Sequence, residues 1–485
     1  MLPLPRIAVG TVQSGVSHRA ILWAMIDALR RQGLQIQTFS SRACFAQHRA
    51  ATAMTGASPR HLDSWLMTPE QCRELFIAGA EACDLAVVEG PFDVALQSSG
   101  APLTDGESAP SSPLPKAKEK RGGSLDVLCE WLDLPRLAVL DASLLDGGLS
   151  DPPGRIDGVL LDRVDSGSRQ ARLTIEIETQ WEVPVLGSLG PVPELRERLR
   201  DLGVTGRPND ELADQLGDHF LRSGETERIV EIAQRRCRLP TASVELPVQG
   251  QPASFVQSCG SPPTASSAAP PMADLTVALA YDEALNCYFP DTLDWLELSG
   301  ATVIDFSPLH DDRLPEADVV YLGCGHPETM ARVLSDNDCM RLALREHVRR
   351  GGRVYAEGGG MAYLCHQLEA EDGSLHRMVG VLPAIARLNP QPSEPLAVSA
   401  TLAEGCWLGP PGEQVRGYLS DRWVLEPTGL FTPGLAEPEY HRDVIQCCHV
   451  IGSRIHLDFA AQLHLLVGFF QPHTARGDTN DPWQV

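Results

Sequence analysis

Short apolar runs alternate with helical patterns through the first half of the chain, which is the pattern of a parallel α/β sheet. Arg6–Gly10 predicts a strand. His18–Gln32 then carries Ile21, Leu22, Met25, Ile26 and Leu29 on one helical face and stops at Gly33. Further buried strands are expected at Asp84–Gly90, Leu137–Ala142, Ile156–Asp162 and Val183–Gly187. From Gln97 to Gly123 a Ser/Pro/Gly/Lys-rich stretch predicts a mobile surface insertion. A Pro/Ser/Ala-rich run over 239–274 has neither period and reads as a linker. Beyond it the alternation restarts, with strands expected at Thr276–Asp282, Ala301–Phe306, Asp318–Gly323 and Arg353–Glu357, and helices at Pro290–Leu298 and Asn337–Arg350. The expected division is an α/β domain over 1–238, the linker over 239–274, a second α/β domain over 275–470, and a loose tail over 471–485.

The 485 residues are too many for one ordinary core and enough for two. Hydrophobic residues at 43% and charged ones at 21% describe a soluble globular chain. No stretch approaches the roughly 18 apolar residues that span a bilayer, and MLPLPRIAVG runs into a strand without a signal-peptide core. A cytoplasmic protein is expected. The formal charge of −24, from 64 acids against 40 bases, argues against broad contact with nucleic acid or anionic membrane. The 13 cysteines include no CxxC pair, and Cys447–Cys448 face no matching pair at zinc-finger spacing, so no zinc site is expected.

The first strand runs into Gly10-Thr11-Val12-Gln13-Ser14-Gly15-Val16-Ser17-His18-Arg19 and then a helix. Glycines between a strand and a helix N-terminus let backbone N–H groups close around a phosphate. A working loop of this kind ends in Gly-Lys-Ser/Thr, the lysine reaching the phosphates and the hydroxyl holding Mg²⁺. Those three places here are Ser17, His18 and Arg19. His18 is shorter than lysine and lacks its permanent charge; Arg19 is cationic but has no hydroxyl. Either a fossil loop that packs structurally or an altered anion site is open.

Four segments make the resemblance specific: GTVQSGV (10–16), ALRRQGLQIQTF (28–39), TAMTG with PRHLDSWLM (52–67) and DLAVVEGPFD (84–93). Together they resemble the N-terminal domain of the cobyrinic acid a,c-diamide synthases, which have the dethiobiotin-synthetase type of P-loop fold. Against the family's pattern a lysine has become Ser40, and two aspartates have become Cys44 and Gln47. Glu89 is the surviving acid that the resemblance would place near Mg²⁺. The nucleotide-site residues implied are Gly10, Thr11, Ser14, Gly15, Ser17, His18, Arg19 and Glu89.

The second half resembles the same family's class I glutamine amidotransferase domain, a flavodoxin-like fold. YDEALNCYFPDTLDWLELSGA (281–301), YLGCGHPE (321–328), VYAEGGGMAYL (354–364) and GSRIHLDF (452–459) carry the match. Glutamine hydrolysis needs a thiolate on a sharp strand–turn–helix elbow, a histidine beside it, and an oxyanion hole. The family's elbow is Ala-Glu-Cys-Gly-Gly; here it is Ala356-Glu357-Gly358-Gly359-Gly360, so Gly358 stands where the nucleophile belongs. Cys365, seven residues on, is expected on the following helix as a packing residue. His456 matches the activating histidine, and Asp458 the orienting acid. The oxyanion region, Gly323, Gly325 and Gly359, is kept, with Cys324 inside a triplet that is all glycine in the family. The family's Gly-His-Glu-Phe-His run is here Gly417-Tyr418-Leu419-Ser420-Asp421.

The family is a carbon–nitrogen ligase: ATP and Mg²⁺ activate a tetrapyrrole side-chain carboxylate, and ammonia from glutamine completes the amide. Its substrates are corrinoid precursors, with sirohaem-like and nickel tetrapyrroles among close relatives. The substitutions predict weak or absent use of ATP and Mg²⁺ and no glutaminase activity. The expected protein is a degenerate homologue that binds a tetrapyrrole carboxylate or regulates an active paralogue, alone or as a homodimer. An ammonia-dependent ligase and a protein-binding scaffold stand as alternatives. Arg42, Arg49 and Arg60 are the basic groups expected to meet tetrapyrrole carboxylates at the boundary between the domains.

Overall fold

The computed structural model describes residues 4–13, 15–45, 48–93, 122–145, 149–205, 210–235, 272 and 274–470. The expected tail, Ser14 and Gln47 lie outside them, as do the insertion except Gly122 and Gly123 and the linker except Met272 and Asp274.

Seven strands form the first sheet: β1 Arg6–Thr11, β2 Ile36–Ser40, β3 Arg60–His61, β4 Leu85–Pro91, β5 Arg136–Asp141, β6 Gly158–Asp162 and β7 Val185–Ser188. Their order is β3-β2-β4-β1-β5-β6-β7, and every pairing is parallel. The pattern of apolar runs located five of these strands; β2 and the two-residue β3 are additions. From β1 the chain moves to one side of the sheet, and from β4 it returns to the other side of β1. The C-terminal ends of β1 and β4 are therefore the switch point, where such sheets place their ligands. Strand ends approach closely there: a Cβ on Gly10 would lie 2.2 Å from the Gly90 carbonyl oxygen.

The helix predicted after β1 is α1, Arg19–Arg30. Its expected single apolar face is a correction, since every residue from Ala20 to Leu29 is buried. The remaining positions Ala20, Trp23, Ala24 and Ala28 are apolar too and share a core cluster with Leu212, Leu216 and Phe220 of the helix Asp210–Leu221, and Arg31 pairs with Asp27, Asp214 and Asp218 where the two meet.

In the second half Thr302–Phe306, Thr276–Ala280, Val319–Leu322, Arg353–Glu357 and Val450–Ser453 lie side by side in that order, all parallel. Val444–Cys447 and Thr432–Pro433 extend the edge through antiparallel pairings. The four predicted strands and both helices are found here, the latter as Pro290–Leu298 and Asp338–Arg349, capped by the Asn337 side chain. Cys365 corrects an expectation: the elbow helix ends at Leu364, and Cys365 opens the strand Cys365–Glu369. It is still a buried packing residue. Among the described residues no helix is long and apolar enough to cross a membrane.

The two halves share an apolar cluster in which Leu62, Leu66 and Met67 meet Phe289, Tyr418 and Ala461. Polar contacts stitch its edges. Arg60 pairs with Asp291, and with Asp294 at 2.8 Å. Arg416 donates to the Trp65 carbonyl at 3.2 Å and lies over the Trp65 ring. The Tyr418 hydroxyl donates to buried Asp63 at 2.6 Å and accepts from the Gly123 N–H at 2.7 Å. Tyr418→Phe removes one donor from buried Asp63 and the acceptor of the Gly123 N–H, so it is expected to destabilise the chain by about 1–3 kcal/mol. Urea unfolding measures this, and a cost under about 0.5 kcal/mol would refute the link.

Candidate functional site

The loop after β1 is tied to the sheet by its own polar residues. The Gln13 side chain accepts from the Asp141 N–H at 2.6 Å, and Thr11 Oγ1 accepts from the Gln13 N–H at 3.1 Å. Gly15 takes φ +73°, a left-handed conformation that glycine adopts without strain. Ser17 and Arg19 are exposed, whereas His18 is buried. His18 Nε2 lies 2.8 Å from Glu89 Oε2, their side chains 9% and 11% exposed. The residue at the lysine position thus bonds the acid expected near Mg²⁺. Burial alone would raise the Glu89 carboxyl, but the hydrogen bond and charge of His18, with the charge of Arg19, outweigh it and hold the group below its ordinary range. A cavity of about 10 Å³ beside Glu89, Ser40, Cys44 and His61 has room for one water.

Of the three arginines expected to face a ligand, Arg60 is committed to Asp291 and Asp294. Arg42 donates to the Gly123 carbonyl at 3.3 Å and sits 3.8 Å from Glu394. The Arg49 side chain lies outside the described residues.

At the second centre, Arg353–Glu357 leads through Gly358 into the helix Gly359–Leu364. Gly358 has φ +48°, the strained turn of a nucleophile elbow, kept without its nucleophile. The loop over 323–325 packs against it. A Cβ on Gly359 would lie 2.8 Å from the Gly325 carbonyl, and the Gly360 N–H donates to the Gly323 carbonyl at 3.0 Å. The space above Gly358 is filled by Cys324: a Cβ there would meet Cys324 Sγ at 2.9 Å and His456 Cε1 at 3.4 Å. Cys324 Sγ lies 3.0 Å from His456 Nδ1. Burial first, then the charge of Glu357, pushes this thiol well above its ordinary value.

The acid turned towards His456 is Glu357, whose Oε2 is 3.7 Å from His456 Nδ1. Asp458, expected in that role, instead accepts the N–H groups of Ala460 and Ala461 at 3.0 and 3.3 Å. The spacing of Gly-Cys-Gly and Glu-Gly-Gly in the chain gives no measure of this convergence, because the sulfur and the histidine are 132 residues apart. The only sequence signal was Cys324 standing in a glycine triplet.

Comparisons with known proteins agree with this architecture. The CobB/CobQ-like glutamine amidotransferase domain family matches residues 276–418. The cobyrinate a,c-diamide synthase of Listeria innocua is 28% identical over 439 residues, covering 87% of this chain and 88% of that protein. The enzyme of that name from Syntrophotalea carbinolica is 29% identical and covers 85% of each. The hydrogenobyrinate a,c-diamide synthase of Streptomyces coelicolor is 28% identical over 488 residues, covering 95% of each.

Burial sets a pH response beside this centre. It pushes the Asp458 carboxyl up to about 8, with help from Asp291, which is itself raised to about 6. An unfolded aspartate releases its proton near 3.9, so these groups hold protons in the folded chain that the unfolded chain has lost. Stability is therefore complete below about pH 4 for these two groups and is lost as pH rises through 6 to 8. Asp458→Asn keeps an acceptor and cannot ionise. It is expected to raise the melting temperature at pH 8, by an equivalent of up to about 5 kcal/mol, and to change little at pH 4.5. Equal effects at both pH values would contradict this account.

Proposed function

We propose that this homologue of the cobyrinate a,c-diamide synthases binds a tetrapyrrole carboxylate but does not amidate it with glutamine. The observation that carries the reading is Cys324: its sulfur fills the volume of the missing nucleophile, beside His456. Glutamine hydrolysis requires that volume to hold the attacking group of the elbow. The His18–Glu89 pair supports the same view of the other centre. It satisfies the acid with the residue that replaces lysine, an arrangement that fits a magnesium nucleotide poorly. The relatives are named for acting on cobyrinate and hydrogenobyrinate, which makes a corrinoid the first ligand to test. One observation favours an ammonia-dependent ligase as a second reading: Arg19 is exposed at the start of α1 and offers a cation to a polyphosphate.

Binding experiments separate these readings. Absorbance titration with cobyrinate and with sirohaem, at concentrations on the order of tens of micromolar, is expected to shift at least one spectrum, while calorimetry finds weak, Mg²⁺-indifferent ATP binding. No shift with either ring would sink the tetrapyrrole reading; tight, Mg²⁺-dependent ATP binding would move the ligase reading ahead. Glutaminase assays test the steric argument. The native chain and Gly358→Cys alone should release no glutamate above a buffer blank, because a side chain at 358 meets the sulfur of Cys324. The double variant Gly358→Cys/Cys324→Gly is expected to gain measurable turnover. Activity in Gly358→Cys alone would show that the two positions do not compete.

A further inference from the structure

A buried carboxylate oxygen with nothing to bond is costly, and Glu357 carries one. Its Oε1 accepts from the Tyr355 hydroxyl at 2.5 Å and from the Leu457 N–H at 3.1 Å. Its Oε2 is buried, has no hydrogen-bond partner among the described residues and lies 3.7 Å from His456 Nδ1. The same nitrogen is 3.0 Å from Cys324 Sγ. All three ligand atoms lie within 4.8 Å of one another, and all three side chains are buried. A triangle with these edges has a point about 2.0–2.4 Å from each corner, the range of zinc bonds to imidazole, carboxylate and thiolate.

We propose that Cys324, Glu357 and His456 form a binding site for one divalent transition ion of the zinc class. Sulfur, imidazole nitrogen and carboxylate oxygen together suit zinc and disfavour magnesium or calcium, which take oxygen alone. On binding, the Cys324 S–H bond breaks, its proton leaves to solvent, and the sulfur lone pair forms the metal bond. The thiolate and the carboxylate then carry two negative charges, which the ion cancels, so the buried site becomes neutral. The Tyr355 hydroxyl and the Leu457 N–H hold Oε1, leaving Oε2 directed at the histidine; such outer partners orient the ligands of metal sites. The two departures from the family's pattern belong together in this arrangement. The site needs a thiol at 324, and that thiol excludes a side chain at 358, where the Cβ would lie 2.9 Å from the sulfur.

The test uses the full chain. Chelator-treated protein is titrated with Co²⁺, followed by thiolate-to-cobalt charge-transfer absorption, and X-ray absorption of the Zn²⁺-loaded protein reads the ligand set without any substitution. Expected are one equivalent bound and a single sulfur in the metal's first shell. The band should be lost in Cys324→Ser and kept in Cys447→Ala/Cys448→Ala. Tyr355→Phe keeps every ligand and should weaken Co²⁺ binding about tenfold. Circular dichroism checks that each variant is folded. A folded native chain with no cobalt band overturns the proposal. So does a band that follows Cys447 and Cys448, or a first shell with no sulfur or with two.

Discussion

The seam between the two halves depends on how buried carboxylates are answered. Asp63 receives the Tyr418 hydroxyl and the N–H groups of Ala43, Trp65 and Leu66. Asp291 receives the guanidinium of Arg60, while Asp458 has only two backbone donors. Burying a carboxylate costs several kcal/mol unless donors or cations compensate it. The seam thus specifies which surfaces meet more sharply than its apolar cluster could. Phe45, His61, Phe289 and His456 bring their rings together between these acids, so the packing of the seam continues into the second centre.

At that centre packing decides which residue holds the volume above Gly358. The elbow keeps its positive φ, its close glycines and its histidine, but the volume reserved for a side chain at 358 belongs to a sulfur from another strand. The geometry survives because it is built by the sheet: Arg353–Glu357 lies between Val319–Leu322 and Val450–Ser453, which deliver the oxyanion loop and the histidine to one edge. The nucleotide end follows the same logic. The all-parallel order brings His18 to Glu89.

Much of this was legible in the chain. Buried parallel strands are continuous apolar runs, and the pattern of such runs located β1, β4, β5, β6 and β7 and four of the parallel strands of the second half. β2 escaped because Gln37 and Thr38 interrupt its run, and β3 because two residues make no pattern. The single face expected of α1 was too narrow for a different reason: a helix almost two hundred residues later packs on α1 as well, and periodicity records faces without naming what packs on them. The losses at 18 and 358 were visible as missing residue types. The replacement contacts were not, since a histidine bonding an acid 71 residues away and a cysteine reaching a histidine 132 residues away are products of topology.

The central place of β1 also governs how the chain is made. β1 pairs with residues about 80 and about 130 positions later in the chain, Arg6 with Ala86 and Ala8 with Arg136. Until β5 has emerged, one edge of an entirely buried apolar strand has no neighbour. Long-range parallel pairing is slow, and an open apolar edge attracts other nascent chains. The arrangement that gathers the loop and Glu89 at one switch point thus leaves the growing chain dependent on shelter from the synthesis of β1 until that of β5.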